Sequence, residues 1–195
     1  MERVSSIDSD VSEGQFLHEL AGRVFHFDRS VTGSGVRQTL NEFSRLLPNL
    51  MIHEVPSGTE VLDWIVPEEW SIEAATLTDP GGRVIADWRE SNLSVVNYSK
   101  AVDLVLDLED LQSHLHSLPE LPDAIPYMTS YYHENWGFCL KHEERERLVD
   151  GNYHALIKSS HFDGSLTYGD CVIPGASRDE VFISTYICHP SMANN

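Results

Sequence analysis

The run Val181-Phe182-Ile183-Ser184-Thr185-Tyr186-Ile187-Cys188 constrains the fold more than any other stretch of the chain. It is β-branched and nearly all apolar, with no alternation that would give it a wet side and a dry side. Such a run predicts a strand buried on both faces, the kind found in the mixed sheet of an α/β protein. It ends at His189-Pro190, where the proline stops the strand. The residues from Pro190 to Asn195 supply no helix to cover the sheet that this strand implies, so the sequence reads as the front part of a longer protein.

The rest of the chain can support such a core. Its 195 residues are 41% hydrophobic, which excludes a disordered tail and a small disulfide scaffold. Thirteen Lys and Arg against 31 Asp and Glu leave a formal charge of −18. That balance excludes nucleic acid and anionic membrane surfaces as partners, because both are held by basic patches. No run approaches the roughly 18 apolar residues of a membrane span. The opening Met1-Glu2-Arg3-Val4-Ser5-Ser6 lacks the apolar stretch of a secretory signal, so the expected location is cytoplasmic. Cys139, Cys171 and Cys188 are an odd number, which fits reduced thiols.

Local patterns predict the remaining elements. Phe16, Leu20, Val24 and Phe27 recur at helical spacing, and Val36, Leu40, Phe43 and Leu47 line a second helix that Ser34 or Thr32 starts and Pro48 stops. Leu50 to Val55 reads as a short strand. From about Trp64 to Ser160 the chain turns to short β-like runs, with Asp79-Pro80-Gly81-Gly82 as a hairpin turn. A helix after Asp107, with Leu111, Leu115 and Leu118 on its apolar side, and a charged helix from His142 to Val149 interrupt them. Leu166 to Ile173 and Val181 to Cys188 read as two strands joined by Pro174 to Asp179.

His189 stands at the carboxyl end of the buried run, where open α/β sheets place their ligands. An imidazole there can serve as one of the three protein ligands of a catalytic zinc, or simply hydrogen-bond at a strand end. His161 and Asp163 form a rival pair, on one face if the segment is extended. A thiol and imidazole at Cys188 and His189 would point to opposite faces of a regular strand, which excludes a direct bond between them. Tyr131, Tyr132 and Trp136 can line a substrate pocket or pack a core. His114 and His116 are expected to be solvated.

Several longer motifs resemble a known family. They are Tyr168-Gly169-Asp170-Cys171-Val172-Ile173-Pro174-Gly175, Val181 to Cys188, His189-Pro190-Ser191-Met192-Ala193-Asn194-Asn195, Ile125 to Tyr132 with Trp136 to Leu140, and the turn from Arg29 to Gly35. Together they are similar to bacterial aminopeptidase-like proteins of polysaccharide-synthesis gene clusters, a branch of the zinc exopeptidase clan. The likeness runs from about Gln15 to Asn195. It implies an exopeptidase-like mixed sheet, incomplete here, whose opening part is residues 1–63 and whose resumption is 161–195. It also implies an inserted β-rich domain at 64–160. By this resemblance His189 binds zinc and Asn195 stands where the family has a metal-bridging aspartate, while Ser191 replaces an orienting aspartate. A neutral amide is a poorer ligand than a carboxylate, so the resemblance favours one metal over two.

The implied activity is a zinc-dependent cleavage of an amide or peptide bond in a peptide or small-molecule substrate, with the remaining ligands and the general base downstream of Asn195. The alternative is a catalytically silent binding protein on the same fold. With one ligand where catalysis needs three, the chain on its own is expected to be inactive.

Overall fold

The computed structural model describes residues 12–192, which hold four α-helices and ten strands. In chain order these are α1 (Glu13–Phe25), α2 (Ser34–Ser44), β1 (Met51–Pro56), β2 (Glu60–Val61), β3 (Trp64–Ile65), β4 (Glu69–Thr78), β5 (Val84–Asp87) and β6 (Val102–Asp107). They continue with α3 (Leu108–Leu111), β7 (Leu115–His116), β8 (Phe138–Cys139), α4 (His142–Arg145), β9 (Asn152–Phe162) and β10 (Ser165–Asp170).

The centre is a four-stranded antiparallel sheet in the order β5-β4-β9-β6. Along β9 the side chains alternate, burying Tyr153, Ala155 and Ile157 on one face. Opposite them on β4 stand Leu77, paired with Ala155, and Ala75, paired with Ile157. Leu111, Leu115, Trp136, Phe138 and Leu140 close over that face and complete the main apolar core. The turn between β4 and β5 is the expected Asp79 to Gly82 hairpin. The Asp79 carboxylate accepts the N–H groups of Gly81 and Arg83 there, a side-chain mimic of a backbone turn.

Helices α1 and α2 stand outside this sheet. A capping serine, Ser12, accepts the N–H of Gln15 and starts α1, as an N-cap should. The turn from Asp28 to Gly33 folds tightly onto the first turn of α2, and two glycines permit it. Gly33 has φ 102°, which glycine adopts without penalty, and a Cβ on Gly35 would lie 2.2 Å from the Asp28 carbonyl oxygen. Helix α2 is held to the strands by Arg37, whose guanidinium grips both oxygens of the buried Glu69 at the start of β4. Glu69 also accepts the Ser165 N–H at the start of β10. Burial pushes this carboxyl up, but the Arg37 and Ser165 hydrogen bonds outweigh it and leave Glu69 ionised below its usual range.

Strand β10 pairs antiparallel with β1, Met51 opposite Asp170 and Pro56 opposite Ser165. The chain therefore leaves the α1–α2–β1 region and comes back to it beside the strand it left.

Three expectations need correction. The run 181–188 forms no strand here: Val181 and Phe182 are each 90% exposed and Ile183 is 83% exposed. A strand is kept by its ladder partners, and among the described residues none pairs with this run. The fold does mix helices with sheets, and these sheets are antiparallel except for the short parallel pair β7 and β8. The helix after Asp107 is capped as expected, with Asp107 accepting the Asp110 N–H, but it gives way to a 3₁₀ turn at Gln112. Leu115 then enters β7, because its side chain is needed in the core rather than on a helix face. The charged helix stops at Arg145, well short of Val149.

These placements separate two substitutions. Phe138→Ala empties a fully buried site and should cost about 3–5 kcal/mol of stability. Ile183→Asp in the same 195-residue chain should change stability by less than about 0.5 kcal/mol, because the side chain is already in water. Urea titration of both variants checks the pair, and a large loss with Ile183→Asp would mean that 181–188 is buried after all.

Candidate functional site around His189

Arg29 is the anchor of this region. It is 1% exposed, and its Nε donates to the His189 carbonyl oxygen at 2.9 Å. Its guanidinium also donates to the Val24 carbonyl, while its own carbonyl accepts Asn97 Nδ2 at 3.2 Å. One side chain thus ties the end of α1 and the backbone of residue 189 together. Burial holds the guanidinium below its ordinary pKa, with nearby Cys188 acting in the opposite sense. The Val24 and His189 carbonyl oxygens accept from its donors.

On that anchored backbone the His189 imidazole is half-buried between two tyrosine rings. Tyr127 meets it edge-on at 4.9 Å between centroids and Tyr186 at 5.0 Å. Burial, helped by the Arg29 charge, pushes its pKa down, so the ring is neutral at pH 7. Nδ1 lies 3.8 Å from the Cys188 Sγ, and Nε2 makes no hydrogen bond among the described residues. This corrects the expectation that neighbouring residues 188 and 189 cannot meet: outside a regular strand they do. The Cys188 thiol is pushed up by burial and stays protonated, which argues against a thiolate nucleophile. Cys139 is buried and pushed up to about 12, and all three cysteines are free.

A separate group of aromatic rings gathers on Tyr98. Tyr98 stacks on Trp70 at 5.7 Å, meets Tyr131 edge-on at 5.9 Å and lies 5.8 Å from the His161 ring. Burial pushes Tyr98 and Tyr127 up to about 12; Tyr131 reaches the same value, first through its hydrogen bond to Tyr132. These phenols are donors at neutral pH, not bases.

The other candidates fall apart in space or into the core. His161 and Asp163 are both exposed, and His161 takes its place beside Tyr98. Trp136 is a core residue rather than a pocket wall, and Tyr131 and Tyr132 lie against each other at 4.2 Å. His114, expected in water, stacks on Trp136 at 3.7 Å and bonds its carbonyl oxygen through Nδ1 at 3.0 Å. His116 is half-buried, and burial lowers its pKa. Asn195 lies outside the described residues. Among those residues no group of three His, Cys, Asp or Glu side chains is placed to hold a metal, so no metal site is complete within 12–192. Sequence reasoning missed Arg29, Tyr98 and Tyr127 as parts of one site. Arg29 and Tyr127 lay within motifs already singled out, but nothing in either motif says that they converge.

Comparison with known proteins bears on this geometry. Residues 69–160 match the model of a domain of unknown function, DUF2172. The whole chain is 43% identical over 196 aligned residues to a Clostridium acetobutylicum protein named "Putative polysaccharide biosynthesis protein with aminopeptidase-like domain". A crystal structure at 2.37 Å of a "putative peptidase" from Clostridium acetobutylicum superimposes with a TM-score of 0.86 and 44% identity over 93% of the chain. The fold is therefore that of the matching part of a peptidase-named protein. The chain spans less than half the length of these relatives, 45% and 43% respectively. No helix among the described residues is long and apolar enough to cross a membrane.

The lowered imidazole fixes a sign. A group whose folded pKa is depressed below about 6.5 binds fewer protons folded than unfolded, so its contribution to stability is lost as pH falls through that window. The His189 ring resonances should titrate with a midpoint below 6.5 in proton NMR. His189→Gln should flatten the fall of stability between about pH 7 and pH 5. A midpoint at or above 6.5 would mean that the ring is not buried beside Arg29.

Proposed function

We propose that this chain is the amino-terminal part of a zinc-dependent, aminopeptidase-like hydrolase that cleaves an amide or peptide bond, and that His189 supplies one ligand to the metal. The observation that carries the reading is the His189 ring itself: neutral, held by Arg29 and two tyrosines, with Nε2 unbonded. Neutral imidazole is the form that ligates zinc. Zinc bound there would contribute Lewis acidity toward the substrate carbonyl. Asn195 is the second ligand position in this reading, and the others lie in the remaining length of the protein. The Tyr127 hydroxyl, protonated at neutral pH, is suited to donate a hydrogen bond to a substrate, whereas the Tyr98 hydroxyl is taken by the Glu68 carbonyl and that of Tyr131 by Tyr132. The chain's own role is to hold the imidazole still, since Arg29 fixes the backbone carbonyl and the tyrosine rings limit rotation.

The proposed division is an exopeptidase-like domain formed by 1–63 and 161–195, with 64–160 inserted. Its support is the pairing of β1 with β10, which brings the two ends of the interval together, and the fit of the matched segment 69–160 within it. Run 181–188 then becomes a buried strand beside partners from the rest of the protein, as its composition requires. A cytoplasmic setting and a peptide or small amide substrate complete the reading.

Zinc content by mass spectrometry tests it in the longer protein. His189→Ala, folded by circular dichroism, should lose most of the metal and essentially all turnover of amino-acid amides, whereas His161→Ala should keep both. The 195-residue chain alone should show negligible turnover. Zinc retained by folded His189→Ala would overturn the ligand assignment. A longer protein that holds zinc yet never turns over would favour the silent binding protein.

A further inference from the structure

A cleft lies beside the turn that carries Arg29. The end of α1, the first two turns of α2 and the turn after β5 enclose an open cleft of about 590 Å³. That volume lies within the range of small-molecule sites. Phe25, Phe27 and Trp88 give it apolar walls, and Gln38 and Asn92 add amides at its rim. One end is shut by Ser191, whose hydroxyl donates to Asn92 Oδ1 at 2.6 Å.

Among these lining groups Asp28 has no ready structural reason to be ionisable. Trp88 Nε1 donates to its Oδ1 at 3.1 Å, and no other hydrogen bond and no ion pair reaches it among the described residues. Oδ2 therefore has unused acceptor capacity at the surface of a cleft. Glu69, by contrast, has Arg37 and the Ser165 N–H on its two oxygens. The carboxyl of Asp28 is raised to about 6, chiefly by burial, as befits a site that gives it too little compensation. His26, Arg89 and Glu90 line the same cleft, yet among the described residues no ion pair joins a cation to Asp28. The formal charge of −18 also draws cations toward the molecule.

We propose that this cleft is a binding site for a small molecule carrying a primary ammonium group, which Asp28 receives on Oδ2 while the body of the molecule lies against Trp88. The chemistry that fits is a protonated amine on a compact frame: the ammonium supplies the missing hydrogen bonds and charge, and the indole takes a C–H face or the edge of the cation. Two sources carry that chemistry, amino sugars and amino-acid derivatives, and either fits the volume. The site is distinct from the His189 imidazole and does not depend on a metal.

Isothermal titration of the 195-residue chain at pH 7.5 with glucosamine and with leucinamide, each against its N-acetylated form, tests the proposal. At least one free amine should bind saturably in the millimolar range or tighter. Its N-acetylated form should bind at least tenfold more weakly, and Asp28→Asn, which can keep the Trp88 hydrogen bond, should weaken the amine at least tenfold. Glucosamine alone binding assigns the amino-sugar class, leucinamide alone the amino-acid class, and both binding a site that reads only the amine. Trp88→Phe, which retains a ring but not the N–H, should stay folded and weaken binding severalfold. Failure of both amines to saturate below about 10 mM, equal binding of the acetylated forms, or full affinity in folded Asp28→Asn would overturn the assignment.

Discussion

Arg29 is the interaction on which the upper part of the molecule depends. A fully buried guanidinium has five donors and no acceptor, so it can be accommodated only where oxygen atoms already converge. Here those oxygens are backbone carbonyls, of Val24 where α1 ends and of His189 far along the chain. The ordering is mutual: the carbonyls solvate the charge, and the charge fixes where the two segments meet. Removing it would leave carbonyls and space that no neighbour is placed to fill. The closeness of Gly35 to the Asp28 carbonyl matters for the same reason, since a side chain there would push the turn, and Arg29 with it, out of register.

A different kind of constraint governs the lower part. The sheet β5-β4-β9-β6 is held by alternation, Leu77 against Ala155 and Ala75 against Ile157, and by aromatic and aliphatic groups from the loops that cover it. Such a face needs no specific partner atom, only apolar bodies of suitable volume. The Glu69–Arg37 pair joins the two regimes. It sits where β4, β10 and α2 meet, and it is among the most buried ion pairs in the described chain, with a side-chain exposure of 7% on the glutamate.

What the sequence made legible follows from this division. Signals that are local in cause were readable: the apolar spacing of α1 and α2, the Asp79 hairpin, the Asp107 cap and the strand at Met51. Signals that depend on a distant partner were not. Leu115 has the spacing of a helix face but is drawn into β7 by its core contacts, and Phe16 to Phe27 gave no hint that the turn beyond them carries the anchor of residue 189. His189 was legible as a candidate because of the run before it, yet its actual setting comes from Arg29, Tyr127 and Tyr186. The strand that singles out His189 in the sequence is one that residues 181–188 do not form here.

That outcome has a physical basis. The run 181–188 carries strong β preference, but preference fixes only which backbone conformation is cheap; it provides no partner for the N–H and C=O groups. The imidazole beside it needs no ladder. It is placed by one side-chain hydrogen bond to its own carbonyl and by two ring edges, all made with residues upstream. The site can therefore be organised before the strand is, because the contacts that set the position and protonation of His189 are complete among residues 29–189. Burial does the rest in a consistent direction, lowering Arg29 and His189 and raising Cys188 and Asp28, so that each group nearby leans toward its neutral form. The guanidinium, whose ordinary pKa is far above neutrality, keeps its charge there throughout the physiological range, with the Val24 and His189 carbonyl oxygens among its acceptors.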